Sequence, residues 1–508
     1  MFTYKKGCTF KTLDEIAGKK ITIMGLGLNG GGEACVRFFL KHNAQVTVTD
    51  MKTPEQLKPT IERLNNDKEL DTSNLKYVLG EHRIEDFANA DCVIKNPGVK
   101  IEGNKFLAVA KNIETDISLF LHFSKAPIIA VTGSKGKSST VSAIHYGLCQ
   151  AGFTSFLGGN ITVSPLTFLE KTSEETPVVL ELSSWQLADL RGRNALKPYI
   201  SIITKIVPDH QNWYKNMQDY VADKRLIYAD QTKGDYTIVD ADPDEKGYEP
   251  ENASSWGNLF ASETKGTVLY YSHAPQNQNQ TQRFYGVWQE TNNNKKCSMV
   301  FLPGMSKPEK IMENLSVPGE HMRTNAQNAA LVLYLMNVKP QKIIEIMQNW
   351  QGIDHRLQYF HKYKEIKFYN DSCATVPEAA GAASQAFAKP VYLLCGGTDK
   401  GLDFAPLVNL LAGKTKKDFF APKEIFLLQG SGTDKLIQGL NENNIKYNGP
   451  FSSLQEMLLS LKIELDKNAQ KGDVVVFSPG ATSFGMFSNE FDRGNKYMQT
   501  VKEIMKIQ

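Results

Sequence analysis

The stretch VTGSKGKSSTVS, from Val131 to Ser142, decides how the middle of this chain folds. It begins at the end of the apolar run PIIAV, which is typical of a buried strand, and continues into a segment with helical periodicity. A glycine-rich turn between a strand and a helix points backbone N–H groups at an anion, and Lys137 and Ser138 would supply an ammonium for phosphate and a hydroxyl for Mg²⁺. The Walker A pattern requires a glycine at position 131, where this chain has valine. The stretch therefore predicts a phosphate-binding loop that is shorter than a Walker A loop.

Composition and charge exclude several classes of protein. The chain has 508 residues, which predicts two to four domains, and its formal net charge of +3 gives no reason to expect a nucleic-acid partner. It has no apolar run long enough to span a bilayer, and its first residues lack the apolar core of a signal peptide. The seven cysteines are scattered and form no C-x-x-C pair, which indicates reduced thiols. We therefore expect a cytoplasmic protein without disulfides or a zinc site.

Strand and helix signals alternate along most of the chain and divide it into three regions. The first region contains KKITIMG, QVTVTD and DCVIKNPG, the second contains PIIAV, PVVLELSS and YISIITKI, and the third contains EIKFYNDS, PVYLLCGG, EIFLLQG and DVVVFSPG. Such alternation predicts an α/β fold with mainly parallel sheets covered by helices. We place the domains at 1–115, 116–352 and 353–508. The Asn- and Gln-rich segment 240–310 is interpreted as loops and short strands to which we assign no chemistry.

A second glycine cluster, MGLGLNGGGEACVRFF, lies near the N-terminus. It follows a strand and opens a helix, and Asp50 ends the next strand, so the pattern resembles a dinucleotide fingerprint. Gly25, Gly27 and Gly30 could equally form only a tight turn, and Asp50 suits a ribose and a uridine hydroxyl equally well. The cluster predicts a nucleotide site and leaves the nucleotide open.

Two further features place polar side chains at the ends of apolar strands in the second region. Glu181 ends VVLE, where a buried carboxylate needs a cation or a metal as a partner. Asp209 and His210 follow YISIITKI in the sequence IVPDHQNWY. Parallel sheets bind ligands at the carboxyl edge of their strands, so these residues are candidates for a magnesium site beside the phosphate loop.

Together these motifs resemble the Mur ligase family, the ATP-dependent amide-forming enzymes of peptidoglycan assembly, over essentially the whole chain. TGSKGKSST is similar to that family's short ATP loop, with Lys135 where asparagine is usual. Further matches are LGGNI, ELSSWQL, PDHQNWY, YVADKRLIY, GEHMRTNAQNAA, DHRLQ and NDSCAT. The resemblance implies a Rossmann-like N-terminal domain, a P-loop-type central ATPase domain and a Rossmann-like C-terminal domain that closes over ATP.

The resemblance also implies a site, residue by residue. ATP would be bound by Gly133, Ser134, Lys135, Gly136, Lys137, Ser138, Ser139, Asn325, Arg356 and Asp371. Magnesium, as two ions, would be held by Ser138, Glu181, His210 and a carbamylated Lys224, and the catalytic residues would be Lys137, His210 and Lys224.

The N-terminal motifs GLGLNG and KNPG, with GGTDKGLDF and SPGATSFGMFSNEFDRG, are most similar to the members that add D-glutamate to UDP-N-acetylmuramoyl-L-alanine. This implies a uridine-substrate site formed by Leu28, Asn29, Asp50, Asn96, Gly98, Asn160 and Gln186, and a D-glutamate site formed by Lys400, Ser483 and Phe484. The expected ligands are those two substrates and ATP, and the expected state is a monomer. The chain departs from the family at Cys373, where lysine is common, and at Met322, where asparagine is common.

Three alternatives differ in what they explain. Another amide ligase of the family, L-alanine-adding or folylpolyglutamate-forming, uses similar ATP motifs, but the folylpolyglutamate enzymes lack the separate N-terminal uridine domain. A nicotinamide-dependent dehydrogenase would use the first glycine cluster but would leave TGSKGKSST unexplained. A non-catalytic nucleotide sensor on the same scaffold would not need Lys137, Glu181, His210 and Lys224.

Overall fold

The computed structural model describes residues 2–28, 30–161, 163–209, 213–244, 246–274, 285–292, 295–414 and 419–506. The chain forms two compact units, one of Met1–Glu313 with Thr324–Met347 and the other of Asn314–Arg323 with Gln348–Gln508. Three sheets are present among the described residues, two in the first unit and one in the second. Each sheet lies inside one of the three ranges predicted as domains, and the boundaries of those domains stay predictions.

The first sheet is fully parallel, with strand order β3-β2-β1-β4-β5. Its strands are β1 (Lys20–Met24), β2 (Gln45–Asp50), β3 (Leu75–Leu79), β4 (Cys92–Lys95) and β5 (Ile113–Glu114). Its helices are α1 (Gly31–Lys41), α2 (Pro54–Asn65), α3 (Ile84–Ala88) and α4 (Asp116–Phe123), with short 3₁₀ helices at Leu13–Ile16 and Leu107–Val109. The strand, helix and second strand predicted around the first glycine cluster are therefore present as β1, α1 and β2.

The second sheet has nine strands in the order β14-β13-β12-β11-β10-β9-β6-β8-β7. They are β6 (Ile128–Thr132), β7 (Phe156–Gly159), β8 (Val178–Glu181), β9 (Ile200–Ile203), β10 (Tyr236–Asp240), β11 (Thr267–Ser272), β12 (Gly286–Asn292), β13 (Lys295–Phe301) and β14 (Glu309–Met312). The helices are α5 (Lys137–Gln150), α6 (Ser184–Ala188), α7 (Met217–Lys224), α8 (Trp256–Glu263), α9 (Glu320–Leu335) and α10 (Pro340–Gln348), with 3₁₀ helices at Pro165–Thr167, Leu169–Lys171 and Arg225–Tyr228.

Strands β6, β8 and β9 are buried along their whole length, because helices cover both faces of the parallel part of this sheet. The segment 240–310 does more than connect other elements. Its strands extend the central sheet, at first parallel and then as an antiparallel edge from β12 to β14.

One hydrophobic core runs from the first sheet into the central sheet and includes Phe39, Phe120, Ile128 and Leu180. This shared core explains why the two sheets form one unit.

The third sheet has the order β15-β16-β20-β17-β18-β19, and only the β15–β16 pair is antiparallel. Its strands are β15 (Gln358–Tyr363), β16 (Ile366–Asn370), β17 (Tyr392–Cys395), β18 (Glu424–Leu428), β19 (Asn448–Phe451) and β20 (Val474–Phe477). Its helices are α11 (Pro377–Gln385), α12 (Ala405–Leu411), α13 (Ser431–Glu442), α14 (Leu454–Asn468) and α15 (Glu490–Ile504). One apolar cluster includes residues of α14 and α15, and a second includes residues of α12 and α13. None of the described helices is long and apolar enough to cross a membrane.

The two glycines that open α1 differ in the space around them, and this difference is testable. A Cβ on Gly32 would lie 2.3 Å from the carbonyl oxygen of Leu26 and 2.4 Å from that of Gly25, whereas a Cβ on Gly31 would meet nothing within 4 Å. We expect Gly32→Ala to lower the free energy of unfolding by about 1–3 kcal/mol, because the backbone of the turn must move. Gly31→Ala is the matched control and should be neutral or slightly stabilising. Urea titrations would measure both, and equal stabilities of the two variants would contradict the close packing of helix against turn.

Candidate active site

Four neighbouring parallel strands of the central sheet, in the order β9-β6-β8-β7, bring their carboxyl ends to one edge. The phosphate loop follows β6, Glu181 ends β8, and Asn160 follows β7. Asp209 comes a few residues after β9, and His210 lies outside the described residues. The structure therefore gathers at one edge the polar residues that the sequence places at strand ends.

At two positions of the loop between β6 and α5, only glycine fits. Gly133 and Gly136 have φ angles of 141° and 93°, which side-chain-bearing residues rarely adopt. A Cβ on Gly133 would lie 2.0 Å from Oγ1 of Thr204, and one on Gly136 would lie 2.6 Å from Oδ1 of Asn325. Thr204 and Asn325 thus close the loop from two sides, and the predicted ATP-side Asn325 is next to it.

Lys137 opens α5 and turns its ammonium back over the loop. The Nζ atom donates to the carbonyl oxygens of Gly133 and Ser134, each at 3.0 Å. Burial lowers the pKa of this lysine, while the charges of Glu181 and Asp209 act in the opposite direction. A partly desolvated ammonium at the start of a helix suits the oxygens of a polyphosphate.

Lys224, at the end of α7, is almost completely buried and reaches the same loop. Its Nζ donates to the carbonyl oxygen of Gly133 at 2.8 Å and lies 4.4 Å from the ring centre of Tyr220. Burial moves the pKa of Lys224 well below its ordinary value, and the neighbouring charge of Lys137 lowers it further. Two ammonium groups therefore share one carbonyl oxygen, which favours the neutral amine at Lys224.

Glu181 offers a carboxylate oxygen to a cation. The side chain is buried, and its Oε1 accepts a hydrogen bond from Nδ2 of Asn160 at 3.1 Å. The other oxygen, Oε2, is also buried and accepts no hydrogen bond from the described residues. A buried carboxylate oxygen without a donor is costly unless a cation neutralises it, so Glu181 fits a Mg²⁺ ligand. Within the described ranges no group of three or more His, Cys, Asp or Glu side chains could hold a metal, and the predicted ligand His210 is outside those ranges.

Two residues predicted to contact the uridine substrate have local structural contacts. Asp50 is buried, and its Oδ2 accepts hydrogen bonds from the backbone N–H groups of Leu26 and Gly27 at 2.9 and 3.1 Å. Its Oδ1 accepts one from the backbone N–H of Lys52 at 2.9 Å. It holds the shape of the first glycine turn. Gln186 forms a capping box at the start of α6, with its Oε1 accepting from the backbone of Ser183 at 3.0 Å. Their contacts with a substrate stay predictions.

Three other predicted uridine-side residues, Leu28, Asn96 and Gly98, lie on surface loops of the first sheet. Leu28 and Asn96 are exposed, Asn96 accepts a hydrogen bond from the backbone N–H of Gly98 at 3.1 Å, and Asn29 lies outside the described residues. Gly25 and Asn96 follow β1 and β4, which are neighbours, so their loops lie side by side at the carboxyl edge of the sheet.

In the second unit, the predicted residues follow the adjacent strands β16, β20 and β17. Asp371 follows β16, Ser483 follows β20, and Lys400 follows β17. Lys400 and Phe484 are exposed, whereas Ser483 is buried. Backbone hydrogen bonds between Thr398 and Thr482, at 3.0 and 3.1 Å, join the loops that carry Lys400 and Ser483.

Asp371 and Arg356 occupy a constrained corner of this unit. Asp371 is buried, accepts a hydrogen bond from the Ser478 hydroxyl at 2.6 Å and another from the Leu357 backbone N–H at 3.1 Å. Arg356 is exposed and lies between His355 and Leu357, whose φ angles of 61° and 43° are in the left-handed region. Strained backbone of this kind is common at functional sites.

A buried arginine that no sequence motif indicated holds the same corner together. Arg493 is fully buried in α15, donates from Nε and Nη2 to the hydroxyl and carbonyl oxygens of Ser372 at 3.0 and 2.8 Å, and donates from Nη1 to the carbonyl of Ala481 at 3.0 Å. It thereby joins the loops after β16 and β20, beside Cys373. No local signal identifies it, because a charged residue in an amphipathic helix normally faces water.

Two family models match the chain. The Mur ligase middle domain matches residues 131–334, and the Mur ligase MurD-like N-terminal domain matches residues 19–117. These ranges contain the phosphate loop and the first glycine turn.

Two relatives that match over nearly their whole length have the same name. The chain is 38% identical to the UDP-N-acetylmuramoylalanine--D-glutamate ligase of Treponema pallidum, with 97% of this chain and 99% of the relative covered. It is 37% identical to the ligase of the same name from Borreliella afzelii, with 96% and 99% covered. Among solved structures, a MurF from Acinetobacter baumannii aligns with a TM-score of 0.53 at 14% identity, covering 99% of this chain and 100% of that one. The UDP-N-acetylmuramate-alanine ligase of Thermotoga maritima aligns with a TM-score of 0.52 at 16% identity, covering 96% and 99%. These two structures confirm the predicted α/β fold.

Asp371 generates a prediction about pH. Burial raises its pKa from 3.8 to about 6, against the opposing effects of the Ser478 hydrogen bond, the Leu357 hydrogen bond and the charge of Arg356. A carboxyl with a raised pKa in the folded state stabilises the fold at low pH, and this contribution is lost as the pH rises from about 4 through about 6. Relative to the native protein, Asp371→Asn should therefore gain stability over that window, on the order of 3 kcal/mol.

Urea titrations at pH 4.5, 5.5 and 7 would measure this difference. Asp466→Asn is the control, because hydrogen bonds from Lys364 and Lys462 lower the pKa of Asp466 and leave it ionised at all three pH values. Its stability relative to the native protein should stay constant. A constant difference for Asp371→Asn as well would show that Asp371 does not titrate in this range.

Proposed function

Since the chain belongs to the Mur ligase family, we propose that it is an ATP-dependent ligase that joins D-glutamate to UDP-N-acetylmuramoyl-L-alanine. The observation that carries this proposal is the 38% identity, over nearly the whole of both chains, to a ligase of that name. The similarity covers 97% of this chain and so includes TGSKGKSST, which the dehydrogenase alternative left unexplained. We further propose that the enzyme is cytoplasmic and monomeric.

The reaction has two steps. The carboxylate of the L-alanyl group attacks the γ-phosphorus of ATP, the bond to the bridging oxygen breaks, and an acyl phosphate and ADP result. The amine of D-glutamate then attacks the acyl carbon, the bond to the phosphate oxygen breaks, and inorganic phosphate leaves as the amine loses a proton. Lys137 and the backbone N–H groups of the loop would neutralise the charge on the transferring phosphoryl group.

We assign the ligands to the residues as follows. The ATP site comprises the loop 133–139 with Asn325, Arg356 and Asp371, and the uridine-substrate site comprises Leu28, Asn29, Asp50, Asn96, Gly98, Asn160 and Gln186. The D-glutamate site comprises Lys400, Ser483 and Phe484. An exposed lysine on a loop at a strand end is a suitable counter-charge for one of the two carboxylates of D-glutamate.

Magnesium is supported by the chemistry of the available donors. The free oxygen of Glu181 and the hydroxyl of Ser138 at the start of α5 are hard oxygen ligands of the kind that Mg²⁺ prefers, and we assign two ions to these residues with His210 and Lys224. When bound, the ions would reduce the negative charge of the phosphate oxygens.

We also propose that Lys224 is carbamylated. An ammonium is a poor metal partner because it has no lone pair, whereas a carbamate is an anion with two oxygens. Carbon dioxide reacts with the neutral amine, and both burial and the neighbouring Lys137 favour that form at Lys224. The contact between Lys224 and the Gly133 carbonyl places the amine at the phosphate loop, where a carbamate could bind a metal.

The proposed activity predicts that phosphate release from ATP requires both UDP-N-acetylmuramoyl-L-alanine and D-glutamate. Lys137→Ala should lower the rate of this release by at least about 100-fold, because the phosphoryl group loses its nearest ammonium. Lys125→Ala is the control, since Lys125 is exposed and pairs only loosely with Glu174 at 4.0 Å. A coupled phosphate assay measures all three proteins. Phosphate release from the native enzyme with either substrate omitted, or full activity of Lys137→Ala, would refute the proposal.

Carbamylation predicts that activity depends on carbon dioxide. Lys224→Arg keeps a positive charge but forms no carbamate, so we expect it to lose at least about 100-fold in kcat. Native enzyme freed of carbon dioxide should lose activity and recover it with bicarbonate, and mass spectrometry under non-denaturing conditions should detect an added carbon dioxide. A fully active Lys224→Arg variant would exclude the carbamate.

A further inference from the structure

A buried ion pair joins the first sheet to the central sheet within the first unit. Lys95, the last residue of β4, and Asp189, which directly follows α6, approach to 2.9 Å between Nζ and Oδ2. Their side chains are only 2% and 7% exposed. A buried ion pair adds little net stability compared with an apolar pair of the same size, but it requires its two partners to meet in one arrangement.

The ammonium of Lys95 also fixes the loop that follows it. Its Nζ donates to the carbonyl oxygens of Asn96 at 3.1 Å and Val99 at 2.8 Å. The two carbonyl oxygens accept hydrogen bonds from the ammonium, and Asp189 adds a close opposite charge. The loop 96–99 contains Asn96 and Gly98, which we assign to the uridine-substrate site, so Lys95 connects this loop to the end of α6.

The N-terminal segment secures the same pair from the other side. The hydroxyl of Tyr4 donates to Oδ1 of Asp189 at 2.9 Å, and the backbone N–H of Tyr4 donates to the carbonyl of Arg191 at 2.9 Å. The guanidinium of Arg193 lies 4.1 Å from the centre of the Tyr4 ring and pairs with Glu114 of β5 at 2.9 Å. Cations and carboxylates therefore alternate across the boundary between the two sheets.

The segment approaches so closely that one position must be glycine. A Cβ on Gly192 would lie 2.4 Å from Cγ2 of Thr3 and 2.7 Å from the carbonyl oxygen of Tyr4, and Gly192 has a φ of 82°. Only glycine at position 192 therefore allows the N-terminal segment to lie this close.

The ion pair borders a cavity at this boundary. The cavity has a volume of about 380 Å³, and its lining includes Lys95, Pro97, Trp185, Asp189 and Tyr214. Pro97 belongs to the loop fixed by Lys95, and Trp185 precedes Gln186 in α6. The loop 96–99 and α6, which both carry residues assigned to the uridine substrate, thus meet at one wall.

We propose that Lys95, Asp189 and Tyr4 are positioning residues that hold the loop 96–99 in register with α6. The inference rests on the proposed function, because a substrate with its nucleotide on the first sheet and its carboxylate at the phosphate loop must span this boundary. None of the three residues needs to touch the substrate. They fix the distance between its two binding regions. A change in that distance would weaken binding of the whole substrate more than binding of either half alone.

The test compares Asp189→Asn and Tyr4→Phe with two matched variants in the same unit. Glu263 accepts hydrogen bonds from Arg225 at 2.7 Å and from Tyr228 at 2.6 Å within the central-sheet region, so Glu263→Gln and Tyr228→Phe remove the same chemical groups without involving the first sheet. The measurements are KM for UDP-N-acetylmuramoyl-L-alanine, KM for ATP, and the calorimetric Kd for UDP alone.

We expect Asp189→Asn to raise KM for the uridine substrate about 10-fold, and Tyr4→Phe to raise it two- to fivefold. KM for ATP and Kd for UDP should change less than twofold, since Lys95 still binds the loop carbonyls and the phosphate loop is untouched. Both control variants should match the native enzyme in all three quantities. If these residues only stabilised the fold, the variants would contain less active enzyme and show a lower kcat, but KM for the uridine substrate would not rise relative to the other two constants.

Several outcomes would overturn the inference. One is an unchanged KM for the uridine substrate in the folded Tyr4→Phe variant, and another is an equal loss for UDP alone. If the native enzyme forms no product, the proposed function fails, and the comparison then uses calorimetric Kd values for UDP and for UDP-N-acetylmuramoyl-L-alanine. If the native protein binds UDP-N-acetylmuramoyl-L-alanine more tightly than UDP and Asp189→Asn loses this difference, the positioning role is supported. Equal binding of the two molecules by the native protein would exclude it.

Discussion

The carbonyl oxygen of Gly133 accepts hydrogen bonds from two lysine side chains, the half-buried Lys137 and the buried Lys224. Like charges at such short range are unfavourable in a medium from which water is excluded, so this arrangement needs compensation. Burial shifts the pKa of both lysines downward, and the carboxylates of Glu181 and Asp209 oppose that shift. The edge of the central sheet is therefore organised around one carbonyl oxygen, where the neutral amine is favoured at Lys224 while the ammonium of Lys137 suits a polyphosphate.

The glycines of the loop make this arrangement possible. A Cβ on Gly133 would collide with Thr204, which follows β9, and one on Gly136 would collide with Asn325 of α9, so only glycine lets the loop lie this close to both elements. The same solution recurs in the first sheet, where Gly32 packs against the turn that follows β1. In both places the helix begins almost in contact with the preceding strand, and its N-terminus faces the ligand side of the sheet.

Several residues that belong to binding motifs also support the local backbone. Asp50 accepts three backbone hydrogen bonds, and Gln186 caps α6. Arg493 has a comparable role in the second unit, where it holds the loop of Ser372 against that of Ala481. Substitution of such residues would change the shape of a site as well as its contacts, so their effects on binding and on folding are linked.

The sequence by itself determined the strand–loop–helix around Lys137, the alternation of strands and helices, and the polar residues at the strand ends. These features are local, because periodicity and glycine spacing report which residues are buried and where the backbone turns. Only the tertiary structure decided which groups the buried charges meet. Lys224 reaches a carbonyl 91 positions away, and Arg493 reaches one 121 positions away. Lys95, Asp189 and Tyr4 carried no local signal, since Lys and Asp are mostly exposed residue types and Tyr is intermediate. Their partners are set by how whole sheets pack, and a pattern read along one segment contains no information about that packing.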